Sequence, residues 1–339
     1  MSQKVRVLIA DTFDPWFNLA TEDWIFRDMD PNIKVLFLWR NSDTVVIGRF
    51  QNPWTECNTA KMDEDDVKLA RRQSGGGAVF HDLGNTNFTF MSGKETYDKT
   101  ENHEIINRAL AHFGVKSYAS GRNDICVDME DGPRKISGSA FKETKDRAFH
   151  HGTLLINANL SRLANYLNPD KKKLVSKGVQ SVRSRVANLT EFNSDISHDA
   201  LCDQIIKQFL NFYDADCEIE YLDYDYLKTV PELNEYYYKL KDWKWRFGET
   251  PKFTHKLEER FSWGGVEVHI DSHKGLIKDA KIFSDSLHPE MIETLCTQLV
   301  GKEYNSQGIA MACAASAVEL PMIEDYIREF SDWLGKAIS

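Results

Sequence analysis

None of the six cysteines, at positions 57, 126, 202, 217, 296 and 313, belongs to a C-x-x-C pair, so neither a structural zinc site nor a disulfide framework is indicated. No run of residues approaches the ~20 apolar positions of a membrane-spanning helix. Residues 1–10 hold two basic residues and a stretch too short for the apolar core of a signal peptide, so a cytoplasmic protein with no membrane partner is expected. Positive charge is in deficit, with 42 Lys and Arg against 52 Asp and Glu and a net charge of -10. So acidic a chain is a poor match for the phosphates of a nucleic acid. The phosphate-binding signature G-x-x-x-x-G-K-[ST] is absent. The Gly triplet at 75–77 runs into a β-branched and aromatic stretch rather than a helix start, which excludes a Rossmann fingerprint as well. Internal repeats and low-complexity tracts are missing too.

What remains is an ordinary globular composition, 42% hydrophobic over 339 residues, and one domain per ~150 residues suggests two domains. Residues 4–9 and 34–39 read as strands, and 18–26 between them carries apolar residues at helical spacing behind a Pro15 start signal. Further strands are expected at 44–47, 78–80, 87–91, 124–127, 135–139 and 152–156. Helices near 59–69 and 103–113 interrupt them, and a helix at 198–213 closes this half. The mixture of aromatics and breakers at 243–251 marks a boundary, giving domains 1–248 and 253–339. The second domain, with strands near 253–263, 266–270 and 275–283 and helices near 289–299 and 321–334, has no dense polar cluster. Its chemistry-poor sequence assigns function to the first.

The densest chemistry is the run from Arg71 and Arg72 through Gln73, Ser74, Gly75, Gly76 and Gly77 to Ala78, Val79, Phe80, His81 and Asp82. A Gly run lets backbone approach a ligand closely, while N–H groups and guanidinium forks match phosphate or carboxylate oxygens. A plain Gly turn between strands is the competing reading. Three segments share the character of this cradle: Gly121-Arg122-Asn123-Asp124, 134–140 with Lys135 among small residues, and 149–153 with His150 and His151. A lysine beside small residues on an apolar strand suits a phosphoryl or carboxylate oxygen, or snorkels from a sheet edge. Adjacent strand residues point to opposite faces, so at most one of His150 and His151 serves a given site.

Taken in order, R-R-x-S-G-G-G-A-V-F-H-D-x-G-N, G-R-N-D, R-K-x-S-G-S-A and H-H-G-T-L-L closely resemble the bacterial two-domain lipoate-protein ligases of the A type. The resemblance extends to P-W-F-N-L-A-T-E, W-R-N-S-D-T-V-V-I-G-R, the segment at 177–189 and the C-terminal module, nearly the whole chain. It implies an α+β fold with a mixed, largely antiparallel sheet and flanking helices, of biotin-ligase and class II synthetase type, plus a small α+β accessory domain. It also implies a ligase of two half-reactions. ATP and lipoate would form lipoyl-AMP, with Mg2+ accompanying the nucleotide. The ε-amine of one lysine on a lipoyl domain, in the E2 subunits of 2-oxoacid dehydrogenases or in the glycine-cleavage H protein, would then take the acyl group. A monomer is expected.

By matching positions, the resemblance implies that Lys135 is catalytic, bridging the lipoate carboxyl and the α-phosphate. Arg72, Gly77, Ala78, Val79, Phe80, Asn123, Asp124 and Lys135 would bind ATP, with Asp124 also a magnesium ligand. Lys135, Ser74, Gly75, Gly76, His81, His151, Leu19 and Trp39 would bind lipoate, although plain core packing competes for Leu19 and Trp39. Octanoyl or lipoyl transferases of the same fold work through a cysteine after the His-Gly strand, yet no cysteine lies between Cys126 and Cys202. Cys202 recurs at helical spacing with Leu201, Ile205 and Ile206, which points to helix packing. A biotin ligase of the same fold and a non-catalytic adenylate-binding regulator compete with the ligase reading. Lys171, Lys172, Lys173, Lys177, Arg183 and Arg185 form a basic stretch suited to an acidic acceptor surface.

Overall fold

Residues 34–39 read Lys-Val-Leu-Phe-Leu-Trp, and all six are buried in β2 (Lys34–Trp39). Such a run fits a strand covered on both faces. Val35, Phe37 and Trp39 join one apolar cluster, while Leu36 and Leu38 join another on the opposite face, as the two-residue period of a strand requires. The computed structural model describes residues 4–121, 123–167, 186–247, 255–273 and 275–338. Arg122, the basic stretch at 171–185 and the segment around Pro251 lie outside the described residues.

The chain forms two units, one made of residues 1–46, 54–72 and 79–246, the other of 47–53, 73–78 and 247–339. In the first, β1 (Val5–Ala10), β2, β6 (Asn85–Gly93), β7 (Ser117–Ser120), β8 (Asp124–Met129), β9 (Gly132–Glu143), β10 (Arg147–Leu155) and β11 (Ile219–Leu222) build one sheet, ordered β11-β1-β2-β6-β10-β9-β8-β7. Only the β11/β1 and β1/β2 pairs are parallel; the others are antiparallel, so the expected mixed, largely antiparallel sheet is present. A small second sheet pairs β3 (Thr44–Ile47) with β4 (Lys68–Arg71) and β5 (Val79–His81). Helices Lys99–His112 and His198–Tyr213 cover one face of the large sheet, burying Ile105, Ile106, Leu201 and Ile205. Helix α1 (Pro15–Asp28) covers the other with Phe17, Leu19 and Ile25.

The other unit contains an antiparallel meander, β12 (His255–Phe261), β13 (Gly264–His273) and β14 (Leu276–Ser284), with helices Pro289–Leu299, Ser306–Glu319 and Glu324–Ala337. Trp263 is buried at its centre and stacks on Phe261.

One expected helix is shorter than its sequence suggests. The helix near 59–69 ends at Glu64, Asp66 takes a left-handed φ of 53°, and residues 68–71 become β4. The acidic run Asp63, Glu64, Asp65 and Asp66 stands at the negative end of the helix dipole, where it opposes further turns. Strands β7 and β11 and helix Ser306–Glu319 were not expected, the last because its Ala-rich sequence carries little apolar periodicity.

Entry into α1 is fixed by Asp14, whose Oδ1 accepts from the Trp16 N–H at 2.9 Å while Oδ2 accepts from the hydroxyls of Tyr224 at 2.8 Å and Tyr237 at 3.2 Å. Pro15 follows at the first helical position, where its missing N–H costs nothing. Asp14→Ala removes the cap and takes one partner from each of two tyrosine hydroxyls, so a destabilisation of about 1 to 3 kcal/mol is expected by urea denaturation. A loss within error of zero would contradict this role.

Candidate active site

Helix α1 lays Glu22 against the large sheet, 2% exposed. Its Oε1 accepts from the Thr89 hydroxyl at 2.7 Å and lies 2.8 Å from His151 Nδ1. The Trp39 indole N–H in turn donates to Thr89 Oγ1 at 3.0 Å. Register explains the meeting: Phe37 faces Thr89 across β2/β6, Thr89 faces His151 across β6/β10, and His151 faces Ala140 across β10/β9, one row on one face. His150 points the other way and packs among Phe88, Phe90, Phe141 and His103. The two histidines therefore serve different faces.

Lys135 reaches the same face through a bulge. In the β8/β9 ladder Asp124 pairs with Gly138, Ile125 with Ser137 and Cys126 with Lys135, so Ile136 is skipped. Such an extra residue shifts the alternation of side chains. Lys135 thereby shares a face with Asp124, Gly138 and, two residues farther along β9, Ala140. Its Nζ lies 2.7 Å from Asp124 Oδ1. A Cβ on Gly138 would stand 2.9 Å from that ammonium, so the glycine provides its berth. Neighbouring Asn123 is pinned, donating from Nδ2 to the Ser139 carbonyl at 3.1 Å.

Arg72 and His81 flank the row. Arg72, 6% exposed, donates to the Val46 carbonyl at 3.1 Å, and burial pulls its guanidinium down to about 10 while Glu22 acts in the opposite sense. His81, 3% exposed, has its ring 6.3 Å from that of Trp39. Burial first, then the charges of Arg72 and His151, push its imidazole down to about 3, so it is neutral at physiological pH. Arg71 instead braces the backbone: its guanidinium donates to the carbonyls of Trp245 and Arg246, and the Trp245 indole donates back to the Arg71 carbonyl.

Of the expected site residues, Leu19, Trp39, Arg72, His81, Asn123, Asp124, Lys135, His151 and the β5 pair Val79 and Phe80 belong to the unit that holds the eight-stranded sheet. Leu19 and Trp39 do pack in the apolar cluster under α1, and Trp39 also enters the Thr89 network, so core and polar roles coexist there. Ser74, Gly75, Gly76, Gly77 and Ala78 group with the C-terminal unit. There Gly76 adopts φ 87° and donates to the Ser286 carbonyl at 2.9 Å, and a Cβ on Gly75 would stand 2.1 Å from that oxygen. Backbone crowding and a positive φ are sufficient to require glycine at these two positions. Among the described residues, a Cβ on Gly77 meets nothing within 4 Å. Sequence reading missed Glu22, Thr89, Asn18 and Asn41; the acidic pair Glu22 and Asp23 among the apolar residues of α1 was the one signal for the first. A groove of about 600 Å³ lined by Lys99, His103, Arg108 and Lys116, among others, contains none of the site residues.

The lipoyl protein ligase A/B catalytic domain matches residues 14–210, and the C-terminus of bacterial lipoate protein ligase matches residues 250–334. Among solved structures, LipL1 of P. falciparum in complex with lipoate is 36% identical, with 98% of this chain and 99% of that one covered and a TM-score of 0.85. The bi-partite lipoate protein ligase of Thermoplasma acidophilum, studied with its E2 lipoyl domain, is 27% identical over 75% of this chain and 100% of that one, with a TM-score of 0.63. A lipoate-protein ligase A bound with ATP is 26% identical over 73% and 99%, with a TM-score of 0.60.

Burial of His81 carries a pH dependence. An unfolded imidazole takes up a proton below its ordinary 6.5, whereas the folded one resists until about 3. The folded state thus binds fewer protons in this window, and stability falls as pH drops from 6.5 towards 3. His81→Gln is expected to shrink the stability gap between pH 7 and pH 4.5 by about 2 kcal/mol. His198, pushed down to about 4 by burial, titrates in the same direction and stays in place. Urea denaturation at both pH values reads the difference, and an unchanged gap would mean that His81 is hydrated.

Proposed function

The chain belongs to the lipoyl protein ligase A/B family, and on that footing we propose that it attaches lipoate to protein in two ATP-driven steps. A lipoate carboxylate oxygen attacks the α-phosphorus of ATP, the bond to the departing pyrophosphate breaks, and lipoyl-AMP results. A neutral lysine amine of an acceptor domain then attacks the acyl carbon, expelling AMP and losing a proton. Activation is required because a free carboxylate is a poor acyl donor.

The observation that supports this most is the row running from the Lys135 ammonium over Gly138 to Ala140 and His151. Two strand residues span ~7 Å, a length an acyl chain covers between a carboxylate held by Lys135 and a tail end near His151, Trp39 and Leu19. Charge that builds on the carboxyl and α-phosphate oxygens during transfer would be met by a preplaced cation. Its present partner, Asp124, is about one-third exposed, so the ion pair is weak and easily exchanged for ligand oxygens. Gly77, where an added Cβ would meet no atom of the described residues, leaves room for a close ligand approach at Gly77 and Ala78.

Magnesium ordinarily accompanies ATP with oxygen ligands and several waters. No group of three His, Cys, Asp or Glu able to hold a metal occurs among the described residues, so Asp124 fits an ion carried on phosphates better than a protein-built cage. Bound there, magnesium would neutralise phosphate charge. The acceptors follow the family: lipoyl domains of 2-oxoacid dehydrogenase E2 subunits and the H protein. A thioester route finds little support. Cys202 is packed in the apolar cluster with its thiol pushed up to about 12 by burial, and burial also raises the Cys126 thiol opposite Lys135.

Pyrophosphate exchange with lipoate, octanoate or biotin tests the reading. Lys135→Ala is expected to lose exchange by about 3 to 4 kcal/mol of transition-state stabilisation, with its circular dichroism spectrum unchanged. Near-parent exchange would make Lys135 structural. Gly77→Val is expected to weaken ATP roughly tenfold or more in calorimetric titration while sparing lipoate; equal losses would place Gly77 outside the nucleotide site.

A further inference from the structure

Asn18 lies at the start of α1 with no exposed surface, and its Nδ2 faces three oxygens: the carbonyls of Arg40 at 2.9 Å and Thr12 at 3.2 Å, and Asn41 Oδ1 at 3.0 Å. Two of these are backbone carbonyls, which only accept, so the atom facing them must be the amide nitrogen. Because Asn18 presents a donor, Asn41 must turn its oxygen towards it. The other end of the Asn41 amide, Nδ2, then faces His81 Nδ1 at 3.2 Å as a donor. An amide N–H can bond only to a bare ring nitrogen, so the neutral His81 carries its proton on Nε2. That Nε2 is buried and has no hydrogen-bond partner among the described residues.

We propose that Asn18 and Asn41 are positioning residues: they lock His81 in the Nε2–H form so that this N–H donates to an acceptor atom of the bound lipoyl group. The inference rests on lipoate being the ligand. A buried donor left without a partner costs more than a formed hydrogen bond returns, and a ligand acceptor removes that cost. Depression of the imidazole keeps the proton count fixed, since neither half-reaction has to protonate His81. The ring is accordingly an orienting donor rather than a general base. Its only bare nitrogen already accepts from Asn41.

The test uses the full chain labelled with 15N-histidine. Long-range 1H–15N spectra of the ligand-free parent are expected to show His81 with Nε2 protonated and Nδ1 bare from pH 5 to pH 8. In Asn41→Asp the carboxylate can only accept, so the proton moves to Nδ1 or the ring becomes charged, and lipoate binding is expected to weaken roughly tenfold with ATP binding unchanged. Asn41→Gln, which keeps a donor, is expected to retain the parent tautomer. A parent spectrum showing Nδ1–H, or an Asn41→Asp protein that switches tautomer without losing lipoate affinity, overturns the proposal. The parent spectrum requires no variant and decides the tautomer even if Asn41→Asp fails to fold. A parent that binds no lipoate contradicts the functional reading instead, and the spectrum still judges the relay.

Discussion

Lys135 stands three residues before Gly138, a spacing that in a regular strand sets two side chains on opposite faces of a sheet. The skipped Ile136 returns them to one face and sends Ile136 itself into the apolar cluster beneath the opposite helices. That single irregularity places a cation beside Asp124, on the row that also carries Ala140, His151 and Thr89. Without it, the lysine would point into apolar packing, where its desolvation would be prohibitive. Bulges near active sites commonly re-aim one side chain, and here the re-aimed group is the cation on which the proposed function relies.

The far end of the row obeys a different constraint. Glu22 is almost fully buried, and a carboxylate in such a place must be surrounded by donors. Thr89 and His151 supply them directly, Trp39 extends the chain, and Arg72 contributes charge. A network of this kind holds several side chains in one arrangement because each satisfies a neighbour that burial has cut off from water. The same logic at Asn18, Asn41 and His81 fixes an imidazole by way of two amides. One end of the row is thus exchangeable and the other rigid, a combination that suits a charged head delivered against an anchored tail.

Much of this was legible in the chain. The boundaries of β2 and β3 follow from unbroken apolar runs, and the opposed directions of His150 and His151 follow from strand period alone. Lys135 stood out because a cation among Gly and Ser has no packing reason to be there. The bulge did not stand out, since Ile136 fits a strand whether it is paired or skipped. Glu22, Thr89 and Asn41 were also hidden: their roles depend on contacts 129, 67 and 40 residues away in sequence. The Gly triplet carried mixed information. Gly75 and Gly76 answer to backbone crowding and a positive φ, which a sequence cannot separate from ligand approach, while Gly77 answers to neither.

The most direct measurement is a crystal structure of the chain with lipoyl-AMP. The acyl carbonyl or a phosphate oxygen should lie ~3 Å from Lys135 Nζ, with Asp124 released from its ion pair and the acyl tail running over Gly138 and Ala140 towards His151 and Trp39. A tail on the His150 face of the sheet, or a Lys135 that stays on Asp124 and touches no ligand atom, would contradict the assignment of the site.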